Sequence, residues 1–288
     1  MTITATEQAT PVAIVCGGGN LPYTVADAAL RGGRKIFLFP LRGFADAARV
    51  GAYPHYWGRL GQFGAFCRIA RAQGCRDVVF IGSLVRPTIW QLRFDLATLR
   101  ILPSLLASFR GGDNHLLSSI GAIFEREGFR LVGAHEIAPE ILVPSGPLGA
   151  LRPDDNESAD IRRGLALLSA TSPFDVGQAV VIANNNVLAV EAAEGTDRML
   201  ERVAMLRGEG RIRPAHGGVL VKAPKHQQDH RYDLPSIGPR TVGLAADAGL
   251  DGIAVTAGSA IVAEPQELAM LADRRKLFVV GIDGKAAS

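Results

Sequence analysis

The stretch from Lys222 to Gly238, KAPKHQQDHRYDLPSIG, concentrates side chains that could do chemistry on phosphate. It holds two lysines, one arginine, two histidines and two aspartates, and two prolines and a final glycine mark it as an ordered loop. Cations neutralise phosphate oxygens, while a carboxylate binds a divalent cation or accepts a proton from water. The mixture therefore predicts pyrophosphate cleavage. His226 and His230 are four apart, but the prolines disfavour the helix on which they would form a metal pair, so we interpret them as surface histidines.

A second candidate site is the glycine loop CGGGNLP, from Cys16 to Pro22, which follows a short apolar run. Glycines at the end of a first strand let the backbone approach a phosphate, and the following helix N-terminus adds N–H donors. The dinucleotide fingerprint is incomplete, because Pro22 stands where a third glycine is required. In addition, the next strand ends FPLR without an acid. A nicotinamide cofactor is therefore not expected, and a simple tight strand-to-helix turn stays open as the alternative.

A third polar cluster, EAAEGTD from Glu191 to Asp197, lies at the end of a predicted strand. Its acids suit the start of a helix, and Thr196 is placed to cap that helix. Substrate contacts by Thr196 and Asp197 and a purely structural role are equally compatible with the pattern. The isolated His55, His115, His135 and His216 are interpreted as structural.

The order of apolar runs and glycines predicts an α/β fold. Strands are expected at Val12 to Cys16, Ile36 to Leu41 and Val78 to Ile81, with helices between them, which is the pattern of a doubly wound parallel sheet. Four prolines between residues 139 and 153 favour a linker there. The predicted organisation is a Rossmann-like N-terminal domain at 1–138, a linker at 139–153 and a mixed α/β domain at 154–288. In the latter, NNN at 184–186 indicates an antiparallel hairpin.

Composition narrows the class of protein. Of the 288 residues, 48% are hydrophobic and 20% charged, which is the balance of a chain that buries a core. The net charge of +3 comes from scattered basic residues, so nucleic acid is not an expected partner. The three cysteines have no CxxC spacing, and the first eleven residues contain no Lys or Arg and no apolar segment. We therefore expect a cytoplasmic protein in a reducing compartment.

Seven motifs, in this order along the chain, resemble one family, the LpxI type of UDP-2,3-diacylglucosamine pyrophosphatase of Gram-negative lipid A biosynthesis. The likeness extends from about Val12 to Gly284. It rests on the segments GGGNLP at 17–22, GSLVRP at 82–87, LPSL at 102–105, GAHE at 133–136, DVGQ at 175–178, AVEAAEGTDRML at 189–200 and KAPKHQQDHRYDLPSIGPRT at 222–241.

The resemblance implies a two-domain enzyme that hydrolyses UDP-2,3-diacylglucosamine to UMP and 2,3-diacylglucosamine 1-phosphate with Mg²⁺ or another divalent cation. It places the catalytic aspartate of the RxDLPxIG motif at Asp233, which we also expect to be the metal ligand, whereas Asp229 lies in a stretch where variation is expected. The substrate-binding positions chosen from the matched motifs are our own inference. The candidate substrate-binding residues are Gly17, Gly18, Gly19, Asn20, Leu21, Gly82, Gln178, Thr196, Asp197, Lys222, Gln228, Arg231, Pro235 and Thr241.

A lipid-linked sugar nucleotide carries acyl chains, which need an apolar surface. The segment 84–106 is a candidate for it, with Trp90 and Phe94 facing the lipid, although ordinary core is the simpler interpretation of each residue. A peripheral contact with the inner membrane and a homodimer are open expectations.

Two other functions remain alternatives. One is a nucleotide-sugar-binding or regulatory protein without catalysis. The other is a nicotinamide-dependent oxidoreductase, against which the missing ribose-binding acid argues.

Overall fold

The structure, a computed structural model, describes residues 10–84, 93–108, 112–225, 229–231 and 234–283, with side chains for all of these outside 104–118. The chain divides into two compact units. The first comprises the described residues up to Glu140 together with residues 229–231, and the second comprises the described remainder from Ile141 onward. Among the described residues, no helix combines the length and apolar character that crossing a bilayer requires.

The first unit is a four-stranded parallel sheet with helices, in the strand order β2-β1-β3-β4. Its elements are β1 (Val12–Cys16), α1 (Leu21–Arg31), β2 (Ile36–Pro40), α2 (Ala47–Val50), α3 (Phe63–Ala72), β3 (Asp77–Ile81), α4 (Leu96–Ser108), α5 (Gly112–Arg126), β4 (Arg130–Leu131) and α6 (Ala134–Ile137). The predicted parallel sheet is confirmed. The chain moves from β1 to β2 on one side and then crosses to β3 on the other, so the carboxyl ends of β1 and β3 form the position where such sheets bind ligands.

An ion-pair cluster anchors the opposite, amino-terminal edge of this sheet. Asp77 begins β3 and accepts hydrogen bonds from Arg34 and from Arg130, whose Nε lies 2.7 Å from one carboxylate oxygen. Asp77 and Arg34 are buried, whereas Arg130 is half exposed. Burial by itself raises the pKa of Asp77, but the hydrogen bonds and charges of the two arginines outweigh burial and leave the pKa below its ordinary value.

We expect Asp77→Asn to lower the free energy of unfolding by about 2 kcal/mol at pH 7, because the buried Arg34 would lose its counter-charge. The pKa of Asp77 is depressed in the folded state. Its contribution is therefore complete above the unfolded pKa of about 4 and is lost as the pH falls through the folded pKa. Denaturant titrations should show the difference between wild type and variant at pH 7 and its shrinkage below about pH 4. A matched control is Glu140→Gln, which removes an exposed pair with Arg31 and should cost less than about 0.5 kcal/mol. A constant difference at all pH values would contradict this assignment.

The second unit is a mixed six-stranded sheet in the order β5-β12-β10-β8-β6-β7, with a separate two-stranded parallel sheet of β9 and β11. Its elements are β5 (Gly146–Pro147), α7 (Asp155–Thr171), β6 (Ala179–Ala183), β7 (Asn186–Val190), α8 (Gly195–Gly208), β8 (Val219–Lys222), β9 (Ser236–Ile237), α9 (Pro239–Asp247), β10 (Gly252–Thr256), β11 (Ile261–Val262), α10 (Pro265–Arg275) and β12 (Phe278–Ile282). Both faces of the sheet are covered by apolar clusters, which explains why β6, β8 and β10 read as continuous apolar runs.

The predicted hairpin is confirmed as the antiparallel pair of β6 and β7. Asn184 and Asn185 both have positive φ angles, which asparagine tolerates better than most residues. The buried Asp160 of α7 accepts hydrogen bonds from the N–H groups of these two residues. A carboxylate 24 residues earlier in the chain therefore fixes the turn.

Candidate functional site

The glycine loop after β1 packs directly against the turn after β3. The N–H groups of Gly17 and Gly18 donate to the carbonyl oxygens of Ile81 and Ser83 at 2.9 and 2.8 Å, and the Ser83 N–H donates back to Gly18 at 2.9 Å. A Cβ on Gly17 would lie 2.6 Å from the Ser83 carbonyl oxygen, and one on Gly82 would lie 2.7 Å from that of Gly18. Both positions 17 and 82 must therefore be glycine for the two backbones to come this close. Gly19 differs, because it has a positive φ and no heavy atom lies within 4 Å of the position of a Cβ.

We expect Gly17→Ala to destabilise the first unit by about 2 kcal/mol, because two backbone segments would have to separate. Gly51→Ala is the matched control: Gly51 also has a φ that L-residues adopt, and a Cβ there meets nothing within 4 Å. Thermal unfolding of the two variants measures the difference. Equal stability of the two would show that the glycine contact can relax without cost.

Cationic side chains lie around the same edge of the first sheet. Asn20 precedes α1, and its side-chain oxygen accepts a hydrogen bond from Arg49, whose guanidinium also lies 4.5 Å from the centre of the Tyr23 ring. Arg42 follows β2, and its guanidinium lies 5.7 Å from the centre of the Trp57 ring. Both arginines are exposed. Sequence reasoning missed them, because nothing in the motif pattern shows that the turn after β2 lies beside the glycine loop.

In the second unit, the carboxyl ends of the parallel strands β8 and β10 meet at one edge, with Lys222 and Thr256 as their last residues. Strand β6 is antiparallel to β8 and β7 is antiparallel to β6. The start of β6, next to Gln178, and the end of β7, next to Glu191, therefore lie at this same edge. Polar residues from four strands meet there.

Glu191 organises part of this edge. Its carboxylate accepts the Gln178 N–H at 2.9 Å and the Thr196 hydroxyl at 3.0 Å. The prediction that Thr196 is the N-cap is wrong: Glu194 occupies the cap position and Thr196 lies in the first turn of α8. The carboxylate two residues before the turn draws the Thr196 hydroxyl away from the helix backbone. Glu191, which the sequence left as a strand-end acid, is therefore the residue that fixes Gln178 and Thr196 relative to each other.

Lys222 is buried at the end of β8, with 6% of its surface exposed. Its Nζ donates to the carbonyl oxygen of Ser236 in β9 at 2.9 Å, and the Thr256 hydroxyl reaches the Lys222 carbonyl at 3.5 Å. Lys225, three residues further on, has its Nζ 2.6 Å from the Asp175 carboxylate. A positive charge therefore lies fixed at the carboxyl edge of the second sheet.

The other predicted residues of this unit border the same strands. Asp197 in α8 forms an ion pair with Arg240 of α9, with 2.8 Å between the charged atoms. The Thr241 hydroxyl accepts the Gly238 N–H at 3.4 Å, and the Pro235 carbonyl accepts the Ile261 N–H at 2.8 Å. These contacts hold the start of α9 and the short β9–β11 sheet in place.

The loop at 229–231 belongs to the first unit. The Arg231 guanidinium binds the Asp229 carboxylate through Nε and Nη2 at 3.0 and 2.7 Å, and its Nη1 lies 2.9 Å from Glu125 in α5. Because Asp229 is engaged by Arg231 in this way, it is a weak candidate for a metal ligand. Gln228 and Asp233, both predicted as site residues, lie outside the described residues, as does Trp90.

Metal-ligand chemistry is sparse in the part of the chain that the structure describes. No group of three or more His, Cys, Asp or Glu side chains there could hold a metal ion.

Burial raises the pKa of the three cysteine thiols, to about 12 for Cys16 and about 11 for Cys67 and Cys75, so these cysteines stay protonated and inert at neutral pH.

Taken together, the first unit is a doubly wound parallel sheet with a glycine loop at its switch point, and the second unit is a mixed sheet with a buried lysine at its carboxyl edge. This arrangement places the chain among the two-unit α/β proteins. Family models for the LpxI N-terminal domain and the LpxI C-terminal domain match residues 11–141 and 144–280. The UDP-2,3-diacylglucosamine pyrophosphatase LpxI of Caulobacter vibrioides is 41% identical over 276 residues, which cover 94% of this chain and 96% of that protein. The chain belongs to the LpxI family.

Proposed function

We propose that this protein hydrolyses the pyrophosphate of UDP-2,3-diacylglucosamine, the activity for which its relative is named, giving UMP and 2,3-diacylglucosamine 1-phosphate as a step of lipid A biosynthesis. The observation that carries the proposal is 41% identity across nearly the whole of both chains. The arrangement of polar groups at the carboxyl edges of both sheets is compatible with it. In this reaction a water oxygen bonds to one phosphorus, the bridging P–O bond breaks, and the bridging oxygen leaves with the other phosphate.

We assign the proton-accepting role to Asp233, on the family's RxDLPxIG motif. Lys222 would neutralise phosphate oxygens, because it is a buried cation at the end of a parallel strand. Arg42 and Arg49 would supply exposed positive charge near the glycine loop, which attracts anionic ligands to the first unit. Gln178 and Thr196, fixed by Glu191, would hydrogen-bond the substrate's polar groups.

A divalent cation such as Mg²⁺ is part of the proposal, with Asp233 as its protein ligand. Mg²⁺ is commonly held by one or two carboxylates plus phosphate oxygens, and when bound it would neutralise charge on the diphosphate. No group of three or more metal-ligating side chains lies among the described residues, so Asp233 and the substrate's phosphate oxygens would hold the ion.

The acyl chains would lie on an apolar patch of the first unit, formed by Phe94, Leu96 and Leu99, which lie within six residues along the chain. These three residues expose between 45% and 77% of their surface. Large apolar side chains clustered at a surface mark an interaction site more often than singly scattered ones do. The same patch would account for a peripheral contact with the cytoplasmic face of the inner membrane.

Purified protein incubated with UDP-2,3-diacylglucosamine should release UMP, and chelation of divalent ions should stop the release. If calorimetry records substrate binding but no UMP forms with any divalent cation, the alternative of a nucleotide-sugar-binding or regulatory protein is favoured. If UMP release continues unchanged in the presence of a chelator, only the proposed metal dependence is contradicted.

A further inference from the structure

His135 is the second residue of α6, directly after β4, so it lies at the carboxyl edge of the first sheet. Its ring folds back over Gly133. A Cβ on Gly133 would lie 2.4 Å from Cε1 and 2.7 Å from Nδ1 of the ring, so the imidazole occupies the space that any other residue at 133 would fill. The Gly133 N–H donates to the Glu136 carboxylate at 2.7 Å, which closes the turn beneath the ring. The glycine and the acid together fix the orientation of the imidazole.

The two ring nitrogens of His135 have different surroundings. Nδ1 is buried and has no hydrogen-bond partner among the described residues, whereas Nε2 is not enclosed in this way. A proton on Nδ1 would be a buried donor without an acceptor, which is costly. The neutral ring with its proton on Nε2 avoids this cost. The geometry therefore presents a neutral Nε2–H donor at the edge of the sheet.

The surroundings also hold the ring neutral. Burial is the main cause that lowers the pKa of His135; the charge of Glu136 opposes it, and the neighbouring His230 adds a smaller lowering effect. His230 belongs to the loop at 229–231, which Arg231 ties to Glu125 of the same unit. Asp233, to which we assigned the chemistry, lies two residues beyond Arg231 in the chain. The imidazole is thus placed beside the segment that leads to the proposed catalytic carboxylate.

We propose that His135 is a substrate-contacting residue, whose neutral imidazole donates a hydrogen bond from Nε2–H to a non-bridging oxygen of the diphosphate. This inference rests on the proposed function. A neutral donor suits this position, because it stabilises charge that develops on the phosphate while it does not compete with the substrate for the proton of the attacking water.

His135→Leu fills the same space without a donor and should lower kcat/KM for UMP release by about 30-fold, mostly in kcat. His135→Gln can place an amide N–H near the position of Nε2 and should stay within about fivefold of wild type. Gly133→Ala keeps the histidine but displaces the ring, so it should be as slow as the leucine variant. A merely structural histidine would predict the reverse order, with leucine tolerated and the polar glutamine harmful.

The inference is overturned if His135→Leu turns over within about twofold of wild type, or if glutamine is as slow as leucine. Should the leucine variant fail to fold, Gly133→Ala and His135→Gln decide between the same outcomes. Nitrogen-15 spectra of labelled histidine give an independent result, in which the neutral Nε2–H form at pH 7 is expected and the Nδ1–H form or an imidazolium would contradict the proposal. If the wild-type protein releases no UMP, the proposed function fails. If the wild-type protein releases UMP and the His135 variants release it at the same rate, only the inference about His135 fails.

Discussion

Asp233→Asn should lower kcat/KM for UMP release by about 1,000-fold while substrate binding stays close to that of wild type. The amide has nearly the same shape as the carboxylate, but it cannot accept the proton of the attacking water and is a poor ligand for a divalent cation. The loss should therefore appear in kcat. Steady-state kinetics together with calorimetric binding of the substrate separate the two quantities.

Asp229→Asn is the matched control for this substitution, because it makes the same change four residues earlier. The Asp229 carboxylate receives Nε and Nη2 of Arg231. We expect its loss to loosen Arg231 and to reduce the rate less than about tenfold, as for a hydrogen bond to a charged group that does not contact the reacting atoms. Comparable losses in both variants would remove the special role of Asp233.

Lys222→Met should reduce kcat/KM by about 100-fold. Methionine retains the buried stem of the lysine and removes the charge that we place on the phosphate oxygens. The side chain is 6% exposed, and burying a charge is costly for the free protein, so the folded state of the variant should be as stable as wild type or more stable. A slower enzyme with an unchanged or higher melting temperature is the expected signature.

Lys225→Met is the comparison, since Lys225 lies only three residues after Lys222 and the change is the same. Its Nζ is 2.6 Å from the Asp175 carboxylate, which already offsets its charge. The expected effect on kcat/KM is within about threefold, the size of an exposed ion pair. An equal loss from both lysines would mean that the overall positive charge of the loop matters, and not the fixed position of Lys222.

The sequence was most informative where structure is local. Short apolar runs predict β1, β2 and β3, the first and third of them followed by glycines, and the three asparagines predict the hairpin of β6 and β7. Prediction from the sequence fails where a residue elsewhere in the chain determines a side chain's contacts. Thr196 has the chemistry of an N-cap, but Glu191 takes its hydroxyl and the helix begins earlier. The pairing of Asp77 with Arg34 and Arg130 spans more than 40 residues, and no local pattern reports it.

The site shows the same limit. Matched motifs predict Gln178 and Lys222 as site residues, and the fold brings the two to one edge because β6 runs antiparallel to β8. The motifs single out Gly17 and Gly82, but they do not show that the two backbones pack on each other, with the amides of Gly17 and Gly18 donating across the contact. His135 was interpreted as structural, since an isolated histidine usually is. Gly133 of the GAHE motif leaves room for the His135 ring, but this is visible only in the folded turn.

Hydrolysis in water enriched in oxygen-18 is the sharpest test of a reaction in which water, activated by Asp233, cleaves the diphosphate. The account predicts that each turnover places a single oxygen-18 atom in one product, always the same one, UMP or 2,3-diacylglucosamine 1-phosphate, and that Asp233→Asn forms almost no labelled product. Mass spectrometry of both products reads this directly. Products without label, or labelled products formed by Asp233→Asn at the wild-type rate, would contradict it.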